Sequence, residues 1–576
     1  MFLSDSDIRA TIHLLLKRIE LPARLIKDLI GEEKHHKIAD FINEVEGRKA
    51  TDEDLLKIML MAKGPEFFAG SSEAIREIRR HMLRTLPENK LIDLYNNNPV
   101  SGKKITSPSY MIRPLSEKRW VKGGRWARQF IAAFNIPIIF AGIASIKDHK
   151  ADSIMDIEPR KQVPPLAEFQ VGIKNEMLTV LNRDNTDARC IVSLPTGAGK
   201  TRVAVESFIE WMQPRFSNGK YLFWIAQSEE LCEQAIECIV DMWQDKEFPE
   251  SLRVYRYFGG HKFKQSDDLV GGVVVASIQQ LRARIMSNDE ALIEMLQGTG
   301  AMIIDEAHHA TAKSYQILFA KARELVGESL FPICGLTATP GRSNAETMEL
   351  VSEFQANLIH PTFKDDVIYS ENPLQYFRDE KYLAIPEYIL MQNEEEIIVD
   401  EEDLDGEQEF TSEFLQTLAN DTARNEWILD SLRAVPKGAS VLVYACTVDH
   451  AEMLAMFMNV VGRKAVSISA NTPKALRRSY IDAFKKGEIE FLFNYGVLTT
   501  GFDAPITDHL FILRPTSSSI LYEQMVGRGL RGPKFGGTES CKIVDFSQNI
   551  IVHGKPLAFA RFTDEWNIEK EYEVIS

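Results

Sequence analysis

The segment 195–201 reads Pro-Thr-Gly-Ala-Gly-Lys-Thr and has the residue types that hold the phosphates of a nucleotide. Gly197 and Gly199 have no Cβ, so the backbone can wrap a phosphate closely with its N–H groups pointing inward. Lys200 can reach the β- and γ-phosphates, and the hydroxyl of Thr201 can ligate Mg²⁺. We therefore expect ATP and Mg²⁺ as cofactors, with nucleotide contacts from Thr196, Gly197, Ala198, Gly199, Lys200 and Thr201.

Two further clusters could complete the chemistry of phosphoryl transfer. Asp305 and Glu306 end an apolar run, so one carboxylate can hold Mg²⁺ and the other can orient and deprotonate a water molecule. Arg528 and Arg531 are expected on one face of a helix that reaches across a cleft to the γ-phosphate. A guanidinium there typically contributes about 10³–10⁵ in rate. The predicted catalytic residues are Lys200, Glu306, Arg528 and Arg531, and the predicted metal ligands are Thr201 and Asp305.

Each cluster alone has a plainer interpretation: a glycine turn before a helix, a solvated acidic dipeptide or a surface ion pair. The elements around them favour the chemical interpretation, because short apolar runs alternate with helical segments along most of the chain. Such alternation predicts parallel sheets covered by helices, with polar ligands at the carboxyl ends of strands. The predicted strands are 190–192, 221–226, 273–277, 302–305, 333–337, 441–445, 491–494, 510–513 and 542–545.

The first 150 residues have a different character and are predicted to be mainly helical. Thr51 and Asp54 have the spacing of a capping box, and Arg76, Arg80 and Arg84 recur at helical spacing. Eight basic residues within 101–130 are interleaved with Tyr110, Trp120 and Trp126. We hypothesise that this stretch is an accessory nucleic-acid contact, since Lys and Arg bind phosphates and aromatic rings stack on bases. A solvated face whose tryptophans belong to the core, or a docking surface for a protein partner, fits the same residues.

Charge and cysteine content exclude some classes of protein. The net charge of −16 excludes a uniformly basic surface but allows a local positive track. The six cysteines are scattered without a C-x-x-C pair, which indicates neither a disulfide framework nor a zinc site and fits a reducing cytoplasm. The apolar stretch 130–146 is short for a membrane span, so we expect it in the core and expect no membrane partner.

The motifs taken in order resemble those of superfamily 2 helicases and translocases, from about residue 160 to 550. The resemblance is carried by Pro-Thr-Gly-Ala-Gly-Lys-Thr, by Asp-Glu-Ala-His at 305–308 and by Thr-Ala-Thr at 337–339. The blocks 498–505 and 522–531 are similar to RadD-like bacterial repair helicases and to the motor subunits of type I and type III restriction enzymes.

That resemblance implies two RecA-like lobes with ATP between them, behind a mainly helical domain. The expected domains are an accessory domain 1–155, a first lobe 156–365, and a bridge with the second lobe 366–576. Phe169 and Gln170 are expected to recognise adenine, since an amide matches the donor and acceptor of its edge. Further nucleotide contacts are implied for Gly501 and Asp503, and coupling roles for His308, Thr337, Thr339 and Gln524. Nucleic-acid contacts are implied for Ser228, Ser277, Gln279, Thr447, Thr499 and Thr500.

We expect a nucleic-acid-dependent ATPase that acts as a DNA helicase or duplex translocase, in DNA repair or anti-phage defence in a bacterial cytoplasm. Two alternatives stay open. One is an ATP-gated nucleic-acid sensor or adaptor in bacterial defence that separates no strands. The other is an RNA helicase. ATPase assays with single-stranded, double-stranded and forked DNA and with RNA distinguish these functions.

Overall fold

The computed structural model describes residues 3–99, 107–142, 154–157, 163–183, 188–214, 219–246, 248, 250–263, 270–327, 331–340, 344–363, 368–369, 373–391, 410–498, 504 and 506–546. Four of the predicted site residues, Thr499, Thr500, Gly501 and Asp503, lie outside these ranges. The described residues form a helical N-terminal region followed by two α/β lobes, so the predicted fold class is confirmed.

The N-terminal region is built from short helices that begin at recognisable caps. The Thr51 hydroxyl accepts a hydrogen bond from the Asp54 backbone N–H, and the Asp54 carboxylate accepts one from the Thr51 backbone N–H. This is the predicted capping box. The α-helices are Asp5–His13, Ala23–Ile30, Glu32–Glu46, Asp52–Lys63, Glu73–Arg84, Glu88–Asn97, Pro108–Glu117 and Arg125–Ala133; a π-helix, Leu14–Arg18, and 3₁₀ turns at Gly64–Glu66 and Ile138–Ala141 connect them.

The first lobe is an eight-stranded sheet in the order β1-β4-β5-β3-β6-β7-β2-β8, parallel except where β1 pairs with β4. Its central strands are apolar and buried, as a sheet covered on both faces requires. The strands are β1 Ile154–Ile157, β2 Arg189–Ser193, β3 Tyr221–Ala226, β4 Leu252–Tyr257, β5 Gly272–Ser277, β6 Thr299–Asp305, β7 Ile333–Thr337 and β8 Leu358–Ile359. The helices are Glu168–Asn182, Lys200–Met212, Glu229–Asp245, Ile278–Met286, Glu290–Gln297, Lys313–Val326 and Asn344–Glu353, with a 3₁₀ turn Ala307–His309.

The second lobe is a six-stranded parallel sheet in the order β11-β12-β10-β13-β14-β9. Its strands are β9 Ile385–Leu390, β10 Val441–Tyr444, β11 Ala465–Ile468, β12 Phe491–Asn494, β13 His509–Ile512 and β14 Ser540–Asp545. Its helices, with the bridging helix first, are Pro373–Asp379, Ser412–Asn420, Thr422–Arg433, Val448–Val460, Lys474–Lys485 and Ser519–Gly527, followed by a 3₁₀ turn Pro533–Phe535.

One hydrophobic core joins the N-terminal helices to one face of the second sheet. Phe41 packs on Phe457 of the helix Val448–Val460 with ring centroids 4.5 Å apart. At the edge of this contact, Lys34 Nζ lies 2.6 Å from Asp449 and 3.0 Å from Glu452. The N-terminal region is therefore packed as part of the second lobe.

The predicted core position of the 130–146 stretch holds for residues such as Phe130 and Phe140, which are buried, but not for Ile138, which is 66% exposed. Residues 143–146 lie outside the described ranges. Among the residues that the structure describes, every helix is too short or too polar to cross a membrane.

Candidate active site

The phosphate loop leaves the carboxyl end of β2, between β7 and β8, and enters the helix Lys200–Met212. Gly197 and Gly199 have φ of +89° and +84°, a backbone conformation that strains any other residue. A Cβ on Gly199 would also lie 2.6 Å from Nε2 of Gln170. Lys200 Nζ donates to the Leu194 carbonyl at 3.2 Å, which lays the lysine side chain along the loop. The loop therefore has the cradle geometry that the sequence predicts.

The acidic pair stands at the end of β6, next to β3 and β7. Asp305 is buried, and its Oδ1 accepts a hydrogen bond from the Glu306 backbone N–H at 3.1 Å. Glu306 has φ of +52°, a left-handed turn that is uncommon outside glycine and marks a constrained loop. Burial, followed by the neighbouring Glu306 carboxylate, raises the pKa of Asp305 to about 7. Burial lowers the pKa of Lys200, against the opposing effect of Glu306 and Asp305.

These groups fit a divalent cation. A buried carboxylate beside a second carboxylate is unfavourable without a positive charge, and a hydroxyl and carboxylate oxygens are the ligands that Mg²⁺ prefers. Thr201 and Asp305 line the same cleft and are the residues that would hold the metal.

A cleft of about 430 Å³ between the lobes collects most of the predicted nucleotide-site residues. The two lobes approach closely here, because a Cβ on Gly527 would lie 2.6 Å from Cβ and Cγ2 of Thr196. Among the predicted residues, the cleft is lined by Thr196, Gly197, Gly199, Lys200, Thr201, Asp305, Glu306, Thr339, Gln524, Arg528 and Arg531.

The two arginines do not share a helix face, so this part of the sequence interpretation is wrong. The helix Ser519–Gly527 ends at Gly527, and Arg528 is its C-cap. Arg531 lies beyond the helix in an isolated antiparallel bridge with Leu383. The glycine that follows Arg528 allows the chain to pass close to β14, since a Cβ on Gly529 would lie 2.5 Å from the Cys541 sulfur. Both arginines nevertheless line the cleft from the side of the second lobe.

The predicted coupling residues form a buried network. His308 Nδ1 lies 2.9 Å from Thr337 Oγ1, 3.5 Å from Thr339 Oγ1 and 3.4 Å from the Glu306 carboxylate. Thr337 Oγ1 donates to the Thr339 carbonyl at 2.9 Å and accepts from the Thr339 backbone N–H at 3.0 Å. The end of β7 is thereby joined to the loop that carries Glu306. Gln524 lines the cleft on the helix Ser519–Gly527.

Phe169 and Gln170 lie beneath the phosphate loop. Gln170 is 1% exposed, its Oε1 accepts from the Ala167 backbone N–H, and its Nε2 donates to the Ala198 carbonyl, both at 3.0 Å. Phe169 is buried in an aromatic cluster with the bridging segment. In this arrangement the two residues support the loop, whereas the sequence interpretation had placed them against adenine.

Three predicted nucleic-acid contacts are helix N-caps at the carboxyl ends of strands. Ser228 and Thr447 follow β3 and β10, and Ser277 is the last residue of β5. Each hydroxyl oxygen accepts a hydrogen bond from the backbone N–H three residues later. Each hydroxyl lies beside the positive end of its helix and can still donate its proton.

A shallow groove of about 480 Å³ is lined by two predicted nucleic-acid contacts and by residues that the sequence interpretation missed. Gly259 and Gly260 follow β4 and line this groove with Ser277 and the exposed Gln279. The Gly-Gly pair after an apolar run is the sequence signal that could have identified it.

Of the predicted base-stacking tryptophans of the N-terminal region, Trp126 is a core residue and Trp120 is partly buried against the same core. Trp126 is 4% exposed and packs edge-on against Phe130 with centroids 5.4 Å apart. Trp120 lies beneath the guanidinium of Arg79 at 5.6 Å. Stacking of Trp126 on nucleic acid is therefore excluded in this fold, because the ring is used for packing.

Many basic side chains of the same region form ion pairs or hydrogen bonds within the protein. Lys122 forms an ion pair with Glu66, and Lys118 donates to the backbone carbonyls of Asn98 and Pro99. Arg80 is surrounded by carboxylates of Glu73, Glu77 and Glu117. Tyr110 is 75% exposed, and Lys103 and Lys104 lie outside the described residues.

Comparison with known proteins supports the assignment of these motifs. Residues 162–342 match the family described as type III restriction enzyme, res subunit, and residues 423–532 match helicase conserved C-terminal domain. Together the two matches cover just over half of the chain.

The chain is also similar to individual proteins. It is 28% identical over 363 residues to IRC3, a candidate ATP-dependent helicase of Saccharomyces cerevisiae. The aligned region covers 62% of this chain and 48% of that protein. It is 24% identical over 377 residues to the EcoKI endonuclease subunit, a type I restriction enzyme subunit of Escherichia coli, covering 59% of this chain and 31% of that protein. The chain thus spans about half or less of these curated relatives. Among solved structures, a fragment of a candidate HsdR subunit from Vibrio vulnificus aligns with a TM-score of 0.47 and 18% identity, over 69% of this chain and 68% of that one.

Proposed function

Because this chain belongs to superfamily 2 of the helicases and translocases, we propose that it is a nucleic-acid-dependent ATPase that moves on DNA. The observation that carries the proposal is the composition of the cleft. The phosphate loop and the acidic pair come from one lobe, Arg528 and Arg531 come from the other, and all of them line one cavity.

Each side chain has a defined task in this proposal. Lys200 and the loop N–H groups hold the β- and γ-phosphates, and Glu306 orients a water molecule and accepts its proton. Arg528 and Arg531 stabilise the negative charge that develops on the transferred group when the lobes are closed. Mg²⁺, held by Thr201 and Asp305, would neutralise phosphate charge. The contact between His308 and Thr337 links the state of Glu306 to the neighbouring strand.

Nucleic acid would lie across the carboxyl ends of the strands. Ser228, Ser277 and Thr447 present capping hydroxyls there, and Gln279 is exposed beside the paired glycines 259 and 260. Hydroxyl, amide and backbone groups suit phosphates and sugars, so binding would be insensitive to base sequence. Thr499 and Thr500 are proposed to continue this path, and Gly501 and Asp503 to contact the nucleotide.

DNA is favoured over RNA by two resemblances to restriction-enzyme subunits. The first lobe matches the type III family, and the chain is similar to a type I subunit of Escherichia coli. We propose a role in DNA repair or anti-phage defence in a bacterial cytoplasm, where the cysteines that the structure describes as free would stay reduced. The N-terminal domain is proposed to receive a protein partner, since much of its basic stretch is already used in internal contacts.

The test is steady-state ATP hydrolysis with no nucleic acid, single-stranded DNA, duplex DNA, forked DNA and RNA, with Lys200→Ala as the inactive control. We expect DNA to stimulate turnover more than RNA of the same length. Strand separation on the fork and displacement of a third strand from a triplex then distinguish a helicase from a duplex translocase.

If DNA stimulates ATP turnover but the protein neither separates the strands of the fork nor displaces the third strand, the alternative role of an ATP-gated sensor would be assigned. Preferential stimulation by RNA would assign an RNA helicase. A wild-type protein that hydrolyses no nucleoside triphosphate under any of these conditions would contradict the proposed function.

A further inference from the structure

Gln170, the residue predicted to recognise adenine, supports the phosphate loop. Both polar atoms of the Gln170 amide are bonded to backbone groups at Ala167 and Ala198. Gln170 is not among the described residues that line the cleft. A side chain that does line the cleft is therefore better placed to contact the nucleoside end of the nucleotide.

The segment that bridges the lobes forms one wall of the cleft. It begins with the helix Pro373–Asp379, and its residues Leu374, Arg378, Leu383 and Ala384 line the cavity. Leu383 reaches the phosphate loop, because its Cδ2 lies 3.6 Å from the position of a Cβ on Gly197.

This wall is fixed on both sides. Phe377 and Tyr382 each pack edge-on against Phe169 of the first lobe, with ring centroids 5.0 Å apart. On the other side, the Ala384 backbone N–H donates to the Leu530 carbonyl of the second lobe at 2.9 Å. The bridge is thus anchored beside the phosphate loop by contacts with both lobes.

Arg378 is the cation of this wall. It is half-buried, its Nε is shielded from solvent, and its guanidinium makes no hydrogen bond or ion pair to any residue that the structure describes. Arg202, which also lines the cleft, instead donates to the Pro164 carbonyl and to Glu206 at 3.3 Å. A partly desolvated, unpaired guanidinium is unfavourable, and a ligand that offers acceptor atoms or an aromatic face would offset that cost.

We propose that Arg378 is a specificity-determining residue that contacts the base and sugar of the bound nucleotide. The phosphates are already served by Lys200 and by the two arginines of the second lobe. A planar guanidinium can stack on a purine ring while its edges donate to ring nitrogens or sugar hydroxyls. Leu374 and Leu383 supply apolar surface for the same ring. This inference rests on the proposed function, because it assumes that the cleft binds a nucleoside triphosphate.

The experiment compares wild type, Arg378→Ala and Arg378→Lys with ATP and GTP as ligands, by calorimetric binding and by steady-state hydrolysis with saturating DNA. For Arg378→Ala we expect KM and Kd for ATP to rise about tenfold or more, the scale of a desolvated cation–π contact. We expect kcat to stay within about twofold and the preference for ATP over GTP to shrink. Lysine keeps the charge without the planar surface, so Arg378→Lys should recover less than half of the loss in affinity.

Arg433→Ala is the matched control, since this exposed arginine is paired with Asp430 on a helix of the second lobe. It should match wild type in both assays. A fall in kcat with unchanged Kd and KM would make Arg378 a third phosphate-contacting arginine and overturn the proposal. Unchanged affinity and unchanged ATP preference would also overturn it. Binding does not require turnover, so a wild type that binds ATP but hydrolyses nothing refutes the proposed function while still testing Arg378.

Discussion

His308 and Thr337 are joined by a contact of 2.9 Å between the imidazole Nδ1 and the threonine hydroxyl. With the Thr337 proton assigned to the Thr339 carbonyl, the hydroxyl accepts from the imidazole Nδ1–H. The contact ties the end of β7 to the loop that holds Glu306.

Replacing Thr337 by valine keeps the shape of the side chain and removes the acceptor. We expect basal ATP turnover to stay within about threefold while stimulation by nucleic acid is lost, because the loop is no longer tied to β7. Thr337→Ser is the matched control and should retain stimulation. Loss of a buried hydrogen bond costs about 1–3 kcal/mol, so the Tm of both variants is measured as well. Equal stimulation in the valine and serine variants would remove the coupling role.

Glu306→Gln should separate binding from hydrolysis. The amide cannot accept a proton from water, so turnover should fall by about 10²–10⁴ while ATP binding persists. Lys200→Ala, which removes the charge that holds the phosphates, should lose binding as well. Normal hydrolysis by Glu306→Gln in a rapid-quench assay would show that another group is the base.

Under the proposed function, Arg528→Ala and Arg531→Ala should lower kcat far more than they raise KM, because both side chains would act on charge that develops during the reaction. Steady-state kinetics with saturating DNA measures both constants. A tenfold loss of affinity at an unchanged maximal rate would contradict this role for either residue.

The stability of the second lobe should depend on His450. Its Nδ1 accepts from the Cys446 backbone N–H and its Nε2 lies 2.9 Å from the Asn425 side-chain oxygen, so the buried ring is neutral. Burial, with help from Arg424, lowers the pKa of His450 from 6.5 to about 3. Between these values the unfolded chain binds a proton that the folded chain does not, so stability falls as pH falls below about 6.5.

His450 is expected to lower the free energy of unfolding by about 1.4 kcal/mol per pH unit in this range, or by about 2 kcal/mol between pH 6.5 and pH 5. His450→Gln retains a donor and an acceptor without a titrating group. Urea unfolding at pH 7 and pH 5 should show a smaller pH-dependent loss in the variant than in wild type. Parallel losses in the two proteins would mean that His450 is protonated in the folded state.

Strands with continuous apolar sequence could be predicted from residue pattern alone, and β3, β7 and β12 have the predicted bounds. The omitted strands lack that pattern. β4 contains Arg253 and Arg256, and the buried Arg256 is paired with Glu233. β9 follows the bridge and finds its partner, β14, about 150 residues later, a pairing that local sequence does not specify.

In the candidate site, too, local sequence predicts some features, whereas others depend on contacts between distant parts of the chain. Spacing predicted the phosphate loop and the acidic pair, because each lies within one turn after one strand. The position of Arg531 depends on Leu383, far away in the chain, and the burial of Trp126 depends on packing against Phe130. Gln170 matched the predicted position in the chain, but its side-chain direction is set by the backbone of the phosphate loop.

The core shared by the N-terminal helices and the second sheet has a mechanical consequence. If the lobes separate and approach during each cycle of hydrolysis, the region that contains Phe41 must move together with Phe457 and the second lobe. A partner bound to the N-terminal region would then be displaced relative to the first lobe with every turnover.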